Sequence, residues 1–109
     1  MITRQDFEKV EMRVGTIVAV EGFPEARNPA YKLKVDLGAY GIRKSSAQIT
    51  KLYKKEELGG RQVIVVVNFA PKQIANFSSE CLVMGVVGND KDIILLQPER
   101  KVENGLRIG

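Results

Sequence analysis

The sequence predicts a small all-β domain in which about five strands form a closed or nearly closed barrel. Three observations predict this class. Segments rich in β-branched residues recur along the chain, short runs with glycine, proline or asparagine separate them, and helical patterns are brief. At 109 residues, the chain is expected to form a single domain that spans residues 1–109.

A short helix and a strand are predicted at the start of the chain. Thr3 with Asp6 fits a capping pattern for a helix from about Arg4 to Lys9. The stretch 12–20 is rich in β-branched residues and predicts a strand. Gly15 within it marks a bulge or a barrel corner.

Two further strands are expected around a turn. The stretch 22–30 contains two prolines and predicts a loop. In residues 31–37, apolar and charged side chains alternate, which predicts a strand with one face in water. A turn at 38–41 is expected to lead into a returning strand at 42–48.

The middle of the chain predicts a helical turn and a buried strand. Residues 51–58 indicate a short helical turn that Gly59 and Gly60 end. Residues 62–68 are almost continuously apolar and predict a strand buried on both faces. Pro71 is expected to open another turn or short helix.

The last third of the chain predicts two strands and a hairpin. Residues 81–87 and 92–96 indicate strands that the run at 88–91 joins by a turn. Asn104-Gly105 is a tight-turn signal, so the C-terminal tail is expected to form a small hairpin. The oligonucleotide/oligosaccharide-binding fold (OB-fold) fits this order best, as a five-stranded barrel with short helical segments, although strand count alone does not separate it from other small barrels.

The composition argues against catalysis, because the chain has no histidine and only one cysteine, Cys81. Imidazole is the usual proton-transfer group near neutral pH, and most zinc sites combine His with Cys. Ser79 and Glu80 are adjacent on a strand and point in opposite directions. Asp90 and Asp92 fit a solvated turn better than a cation cage. We therefore expect no catalytic residue, no metal and no cofactor.

The sequence also bears on location and charge. No apolar run at the N-terminus has signal-peptide length, and no segment approaches the roughly 20 apolar residues that span a bilayer. We expect a cytoplasmic protein with no membrane insertion, in which the lone Cys81 is a packed side chain. The net charge of +4 permits an RNA partner, but it also fits an ordinary solubilising surface.

Several segments, taken in order, resemble the tRNA-binding domain family, a barrel module found as a free-standing dimer and as an appendage of methionyl-tRNA synthetases. They are MRVGTIVAVE at 12–21, YKLKVDLG at 31–38, EELGGRQVIVVVN at 56–68, PKQI at 71–74 and SECLVMG at 79–85. Each segment is weak alone, but their order and spacing make a specific signal over most of the chain.

Within that family, the chain is most similar to a branch of export-related chaperones. The similarity lies in FPEAR at 23–27, SSAQIT at 45–50, NFAPKQIANF at 68–77 and SECLVMG at 79–85. It implies a cytoplasmic homodimer that binds unfolded or secretion-destined polypeptides. Related free-standing members imply a dimer contact made by the N-terminal helix and residues 96–108.

The RNA-facing motifs of the family are only partly retained. tRNA-binding members carry a Ser-Glu-Gly-Met run where residues 79–82 are Ser-Glu-Cys-Leu, and a Val-Ser-Gly-Leu-like run where residues 45–48 are Ser-Ser-Ala-Gln. Lys32 stands at the family's anion-contacting position. The alternative function that the resemblance implies is therefore tRNA binding on the same barrel face.

The candidate binding face combines polar, cationic and apolar side chains. On a strand, Ser46 and Gln48 share one face and Ser45 takes the other. Hydroxyl and amide groups suit contacts with a peptide backbone, although these side chains could instead satisfy local backbone groups at a barrel corner. The predicted site residues are Lys32, Ser46, Gln48, Asn68, Phe69, Lys72 and Ser79.

Overall fold

The computed structural model describes residues 1–109 and shows a nearly closed antiparallel barrel with little helix. Helix α1 is Arg4–Glu8, and 3₁₀ turns lie at Gly38–Tyr40, Lys55–Glu57 and Asn89–Lys91. The strands are β1 Met12–Gly22, β2 Tyr31–Asp36, β3 Ile42–Ala47, β4 Gln62–Val66, β5 Lys72–Ile74, β6 Phe77–Ser79, β7 Leu82–Val83, β8 Gly85–Val87 and β9 Ile93–Leu95.

One five-stranded sheet, in the order β3-β2-β1-β4-β7, curves into the barrel wall. β5 with β6 and β8 with β9 form two separate hairpins. The predicted all-β, five-stranded barrel is confirmed.

The N-terminal helix begins with the predicted cap. The Asp6 N–H donates to Thr3 Oγ1 at 3.1 Å, and the Thr3 N–H donates to Asp6 Oδ2 at 3.0 Å. None of the five helical residues is buried. No helix in the fold has the length and apolar character that crossing a membrane would require.

The irregularity of β1 lies at a different position from the predicted one. β1 pairs with β4 at its start and with β2 at its end, and its register shifts between Ile17 and Ala19 rather than at Gly15. Gly15 instead allows close packing, because a Cβ there would overlap Val35 Cγ1 and lie 2.8 Å from Leu37 Cδ2.

The core follows the predicted alternation. Leu33 and Val35 of β2 are buried, whereas Lys34 between them is exposed, and β4 is buried almost throughout. The apolar side chains inside the barrel also include contributions from the connections. The cluster comprises Ile17, Leu33, Val35, Leu37, Ala47, Ile49, Leu58, Val63, Val65, Val67, Cys81 and Leu95.

Two segments differ from the prediction. Pro71 is followed by the β5–β6 hairpin rather than by a turn or helix, and Ala75 at its tip has φ of 50°. The predicted strand 81–87 is divided at Met84. The Met84 N–H donates to the Ile64 carbonyl in β4 at 2.8 Å, whereas the Met84 carbonyl accepts from the Leu96 N–H at 3.3 Å.

The C-terminal tail turns at Asn104-Gly105 but does not form the predicted hairpin. It runs beside the start of β1. The Val14 N–H donates to the Leu106 carbonyl at 2.9 Å, and the Ile108 N–H donates to the Met12 carbonyl at 2.8 Å. The turn is as expected, but the pairing partner is a strand at the other end of the chain.

Candidate functional site

The barrel closes between β3 and residues 79–81 by individual hydrogen bonds rather than by a regular ladder. The Glu80 N–H donates to the Lys44 carbonyl at 2.8 Å, and Ser45 Oγ donates to the Cys81 carbonyl at 2.8 Å. The Ser46 N–H donates to Ser79 Oγ at 3.0 Å. These bonds form a seam between β3 and β7, the two edge strands of the sheet.

A groove of about 860 Å³ lies along this seam and is called the seam groove below. Its walls come from the end of β3, from the β5–β6 hairpin and from β7 with β8. Most lining residues are apolar, including Ile49, Leu82, Val83 and Val87. A concave, mostly apolar surface with a few polar groups is typical of a binding site.

The seam groove brings together five of the seven predicted site residues. These are Ser46, Gln48, Phe69, Lys72 and Ser79. Lys32 and Asn68 do not line it.

Three polar residues near the groove lie in different environments. Ser79 Oγ accepts from the Ser46 N–H, so this serine takes part in closing the barrel. Ser45 is fully buried, on the opposite face from Ser46, as alternation predicts. Gln48 is exposed just beyond β3 and lines the groove, where an amide can both donate and accept.

Asn68 holds the N-terminal segment against the end of β4. Its Nδ2 donates to the Lys9 carbonyl at 2.6 Å, and its Oδ1 accepts from the Glu11 N–H at 3.0 Å. Both ends of the amide are therefore engaged with backbone inside the chain.

Lys32 belongs to a second surface next to the groove, the cationic aromatic face. Its Nζ lies 4.8 Å from the ring centroid of Phe23 and 5.7 Å from that of Phe77. Lys44 Nζ lies 5.4 Å from the Phe77 ring, and Lys34 is the direct cross-strand partner of Lys44. Lys32 is in turn the cross-strand partner of Ser46, so the two surfaces adjoin.

The sequence did not reveal the apolar lining of the groove. The apolar run at 81–87 predicts a strand, but such a run does not indicate which of its residues face a groove. No local pattern brings Phe23 and Phe77 together either, yet their rings lie 5.4 Å apart at an edge-to-face angle of 63°.

Cys81 also lines the seam groove, but its thiol is a packed group. Burial raises the pKa of Cys81 from 9.0 to about 11. Since the thiolate is the reactive form, a thiol with this pKa is almost entirely protonated near neutral pH. This agrees with the predicted role of Cys81 as a small packed side chain.

The tip of the β8–β9 hairpin is attached to the connection that follows β3. Lys51 Nζ donates to the Asp90 carbonyl at 2.6 Å and lies 3.1 Å from Asp92 Oδ1. The Asp92 carboxylate, one of the two weighed above as a cation ligand, is thus paired with Lys51.

Comparison with known proteins places this geometry in a family. The profile of the tRNA binding domain family matches residues 12–107. The chain is 36% identical over 105 residues to a methionine–tRNA ligase of Methanococcoides burtonii and 41% identical over 106 residues to methionine–tRNA ligase 1 of Sorangium cellulosum. The two matches extend over 96% and 97% of this chain but over only 15% of each ligase.

Solved structures agree over the whole chain. The crystal structure of chaperone CsaA from Bacillus anthracis matches with a TM-score of 0.96 at 47% identity and covers 100% of this chain and 99% of that one. The CsaA chaperone protein from Picrophilus torridus matches with a TM-score of 0.94 at 51% identity and full coverage of both chains. The chain therefore belongs to the tRNA binding domain family and is a CsaA-like member of it.

Proposed function

We propose that this chain is a chaperone that binds unfolded or secretion-destined polypeptides as a cytoplasmic homodimer. The seam groove is the observation that carries the proposal. An extended polypeptide offers apolar side chains together with backbone donors and acceptors, and the groove offers matching groups of both kinds. The CsaA chaperones that share the fold at high identity support this choice.

The apolar lining is the part of the groove that would supply most of the affinity. Phe69 and Leu82 are about half exposed, and Val87 is 75% exposed, although large apolar side chains usually avoid water. Covering such side chains with a client is favourable by about 1.5–3 kcal/mol for each one that becomes fully buried. No step of this function requires a catalytic residue.

The homodimer is proposed on a different surface. Residues 1–10 are all exposed and include the apolar residues Ile2, Phe7 and Val10. An isolated helix shorter than about 12 residues is also marginal in water. A second copy that covers α1 would remove these apolar side chains from water. Arg107 Nη2 donates to the Glu8 carbonyl at 2.8 Å, so the tail would lie at the same contact. Two copies would present two grooves to one client.

The substitution Leu82→Glu is expected to weaken binding of a reduced, carboxymethylated unfolded protein by about tenfold or more. The reason is that a charge would replace an apolar contact in the groove. Leu52→Glu is the matched control, because Leu52 is 47% exposed against 46% for Leu82 but does not line the groove. Fluorescence anisotropy measures the affinity.

Sedimentation should first show both variants to be dimers. Equal binding by Leu82→Glu and Leu52→Glu would contradict the assignment of the groove. Absence of binding by the unsubstituted chain would contradict the proposed function itself.

RNA binding is the second candidate, and the cationic aromatic face is the observation that favours it. Lys34 and Lys44 lie directly opposite each other, an arrangement that is unfavourable until an anion reduces the repulsion. Binding of single-stranded or looped RNA uses lysines together with an accessible aromatic ring, and here that ring is the partly exposed Phe77, since Phe23 is buried. The match to methionine–tRNA ligases supports tRNA as the ligand to test.

Lys32→Gln is expected to weaken tRNA binding and to reduce the slope of log affinity against log salt by about 1, because one phosphate contact is lost. Lys101→Gln in the exposed tail is the control for a change in net charge. A filter-binding titration at several salt concentrations gives both slopes. If the two variants behave alike, Lys32 has no specific contact with tRNA.

A further inference from the structure

The barrel leaves strand edges without a backbone partner beside the groove. Bonds to residues 79–81 partly cover the edge of β3, whereas β8 pairs only with β9. An unpaired edge presents a row of N–H and C=O groups that another extended chain can pair with. Such edges are usually shortened, charged or covered.

The hydrogen bonds show which groups of β8 are free. Backbone groups of Met84 bond to Ile64 and Leu96, and the Gly88 N–H donates to the Asp92 carbonyl at 2.7 Å. Along an antiparallel strand, successive residues direct their backbone groups to opposite sides. The N–H and C=O groups of Gly85 and Val87 therefore point to the outer edge, where no strand pairs with them.

The edge is short, because β8 has only three residues, but nothing else in the local sequence protects it. The run from Cys81 to Val87 contains no charged residue and no proline. Gly85 has no side chain that could shield the backbone at this edge. A Cβ on Gly85 would overlap Ile93 Cγ2. Gly85 and Val87 both line the seam groove, so the free edge and the apolar surface are parts of one site.

We propose that an extended segment of client polypeptide pairs as an added strand with the outer edge of β8, at Gly85 and Val87. Alternate side chains of that segment then enter the seam groove, while its backbone bonds to the edge. This inference rests on the proposed chaperone function and specifies how the client is held.

Charge favours an apolar client segment with an acidic end over a second copy of this chain. Lys72 lines the groove and has no carboxylate within ion-pair distance. A second copy that offered its own run 81–87 would also bring Glu80, but Glu80 Oε1 already accepts from the Lys44 N–H at 2.9 Å within its own chain, so that carboxylate is engaged there. An acidic residue at the end of the client segment complements Lys72.

Backbone methylation of a peptide tests the pairing. The probe is a fluorescein-labelled nonapeptide that begins with aspartate and then alternates four valines with four serines. Two isomers carry N-methyl groups on either the valines or the serines. Because only alternate residues face one edge, one isomer should lose about tenfold or more in affinity and the other should stay within about threefold.

The protein side is tested with Val87→Pro and Val87→Ala. Proline removes the edge N–H, whereas alanine keeps it and shortens the side chain. Val87→Pro should lose about tenfold or more in peptide affinity relative to Val87→Ala, because both substitutions remove the valine side chain but only proline removes the edge N–H. Circular dichroism checks the fold, and the methylated peptides decide the matter if Val87→Pro does not fold.

The possible failures are distinguishable. Equal effects of the two methylated isomers, or none, would overturn pairing with this edge while leaving client binding intact. A Val87→Pro protein that changes its sedimentation but not its peptide affinity would show that a second copy occupies the edge. Failure of the parent peptide and of the unfolded protein to bind would refute the chaperone function as well.

Discussion

Replacing Gly105 by alanine is expected to lower the free energy of unfolding by about 3 kcal/mol. Gly105 has φ of +94°, and a Cβ on it would lie 2.6 Å from the Leu37 carbonyl oxygen. Gly38 is in the reciprocal position, with φ of +64° and a would-be Cβ 2.6 Å from the Asn104 carbonyl oxygen. The turns at 37–38 and 104–105 therefore touch backbone to backbone, and neither can move away without releasing the tail from β1.

Two other glycines separate strain from overlap. Gly60 has φ of +84° but open space around its Cβ position, so Gly60→Ala should cost about 1 kcal/mol from backbone strain alone. Gly59 has neither feature, and Gly59→Ala should be within about 0.5 kcal/mol of the parent. Urea unfolding with an unchanged m-value measures all three. A Gly105→Ala cost no larger than that of Gly60→Ala would contradict the contact between the turns.

The parts of the fold that the sequence predicted depend on local patterns. Alternation placed Leu33 and Val35 inside the barrel, and an unbroken apolar run identified β4 as buried. The helix cap at Thr3 was equally local. In each case the side chains that carry the signal lie within a few residues of one another.

The parts that the sequence missed depend on partners far along the chain. Asn104-Gly105 predicts a turn, but the strand that the tail joins is β1, and no local pattern names it. The β5–β6 hairpin was missed because Pro71 indicates an interruption and its strands have three residues each. Met84 divides one predicted strand because its N–H bonds to Ile64 in β4, whereas its C=O bonds to Leu96 just after β9.

The same distinction explains the candidate site. Ser46 and Gln48 were placed on one face by alternation, and both line the groove. Lys32 was identified through the family resemblance, but its aromatic neighbours Phe23 and Phe77 come together only when the barrel closes. The predicted single face is thus two adjoining surfaces, and ligands of different chemistry can be tested on each.

The substitution Leu58→Ala is expected to cost about 3–4 kcal/mol, the second large effect. Leu58 is fully buried, although it comes from the connection between β3 and β4 rather than from a strand. The 3₁₀ turn before it directs the side chain inward, and the Gly60 N–H donates to the Ile17 carbonyl at 2.8 Å. The Ile17 N–H donates in turn to the Arg61 carbonyl at 2.9 Å, so two hydrogen bonds just after Leu58 fix the connection to β1.

A fixed connection cannot collapse into the space that Leu58 leaves, and the cost of a cavity is largest where the surroundings cannot relax. Leu52→Ala is the matched control in the same connection, because Leu52 is 47% exposed and should cost less than about 0.5 kcal/mol. Leu58 does not line the seam groove, so Leu58→Ala should bind unfolded polypeptide with unchanged affinity wherever it remains folded. A loss of affinity in folded Leu58→Ala would mean that the groove and the barrel core are coupled. Equal stability of the two alanine variants would mean that the connection does not support the core.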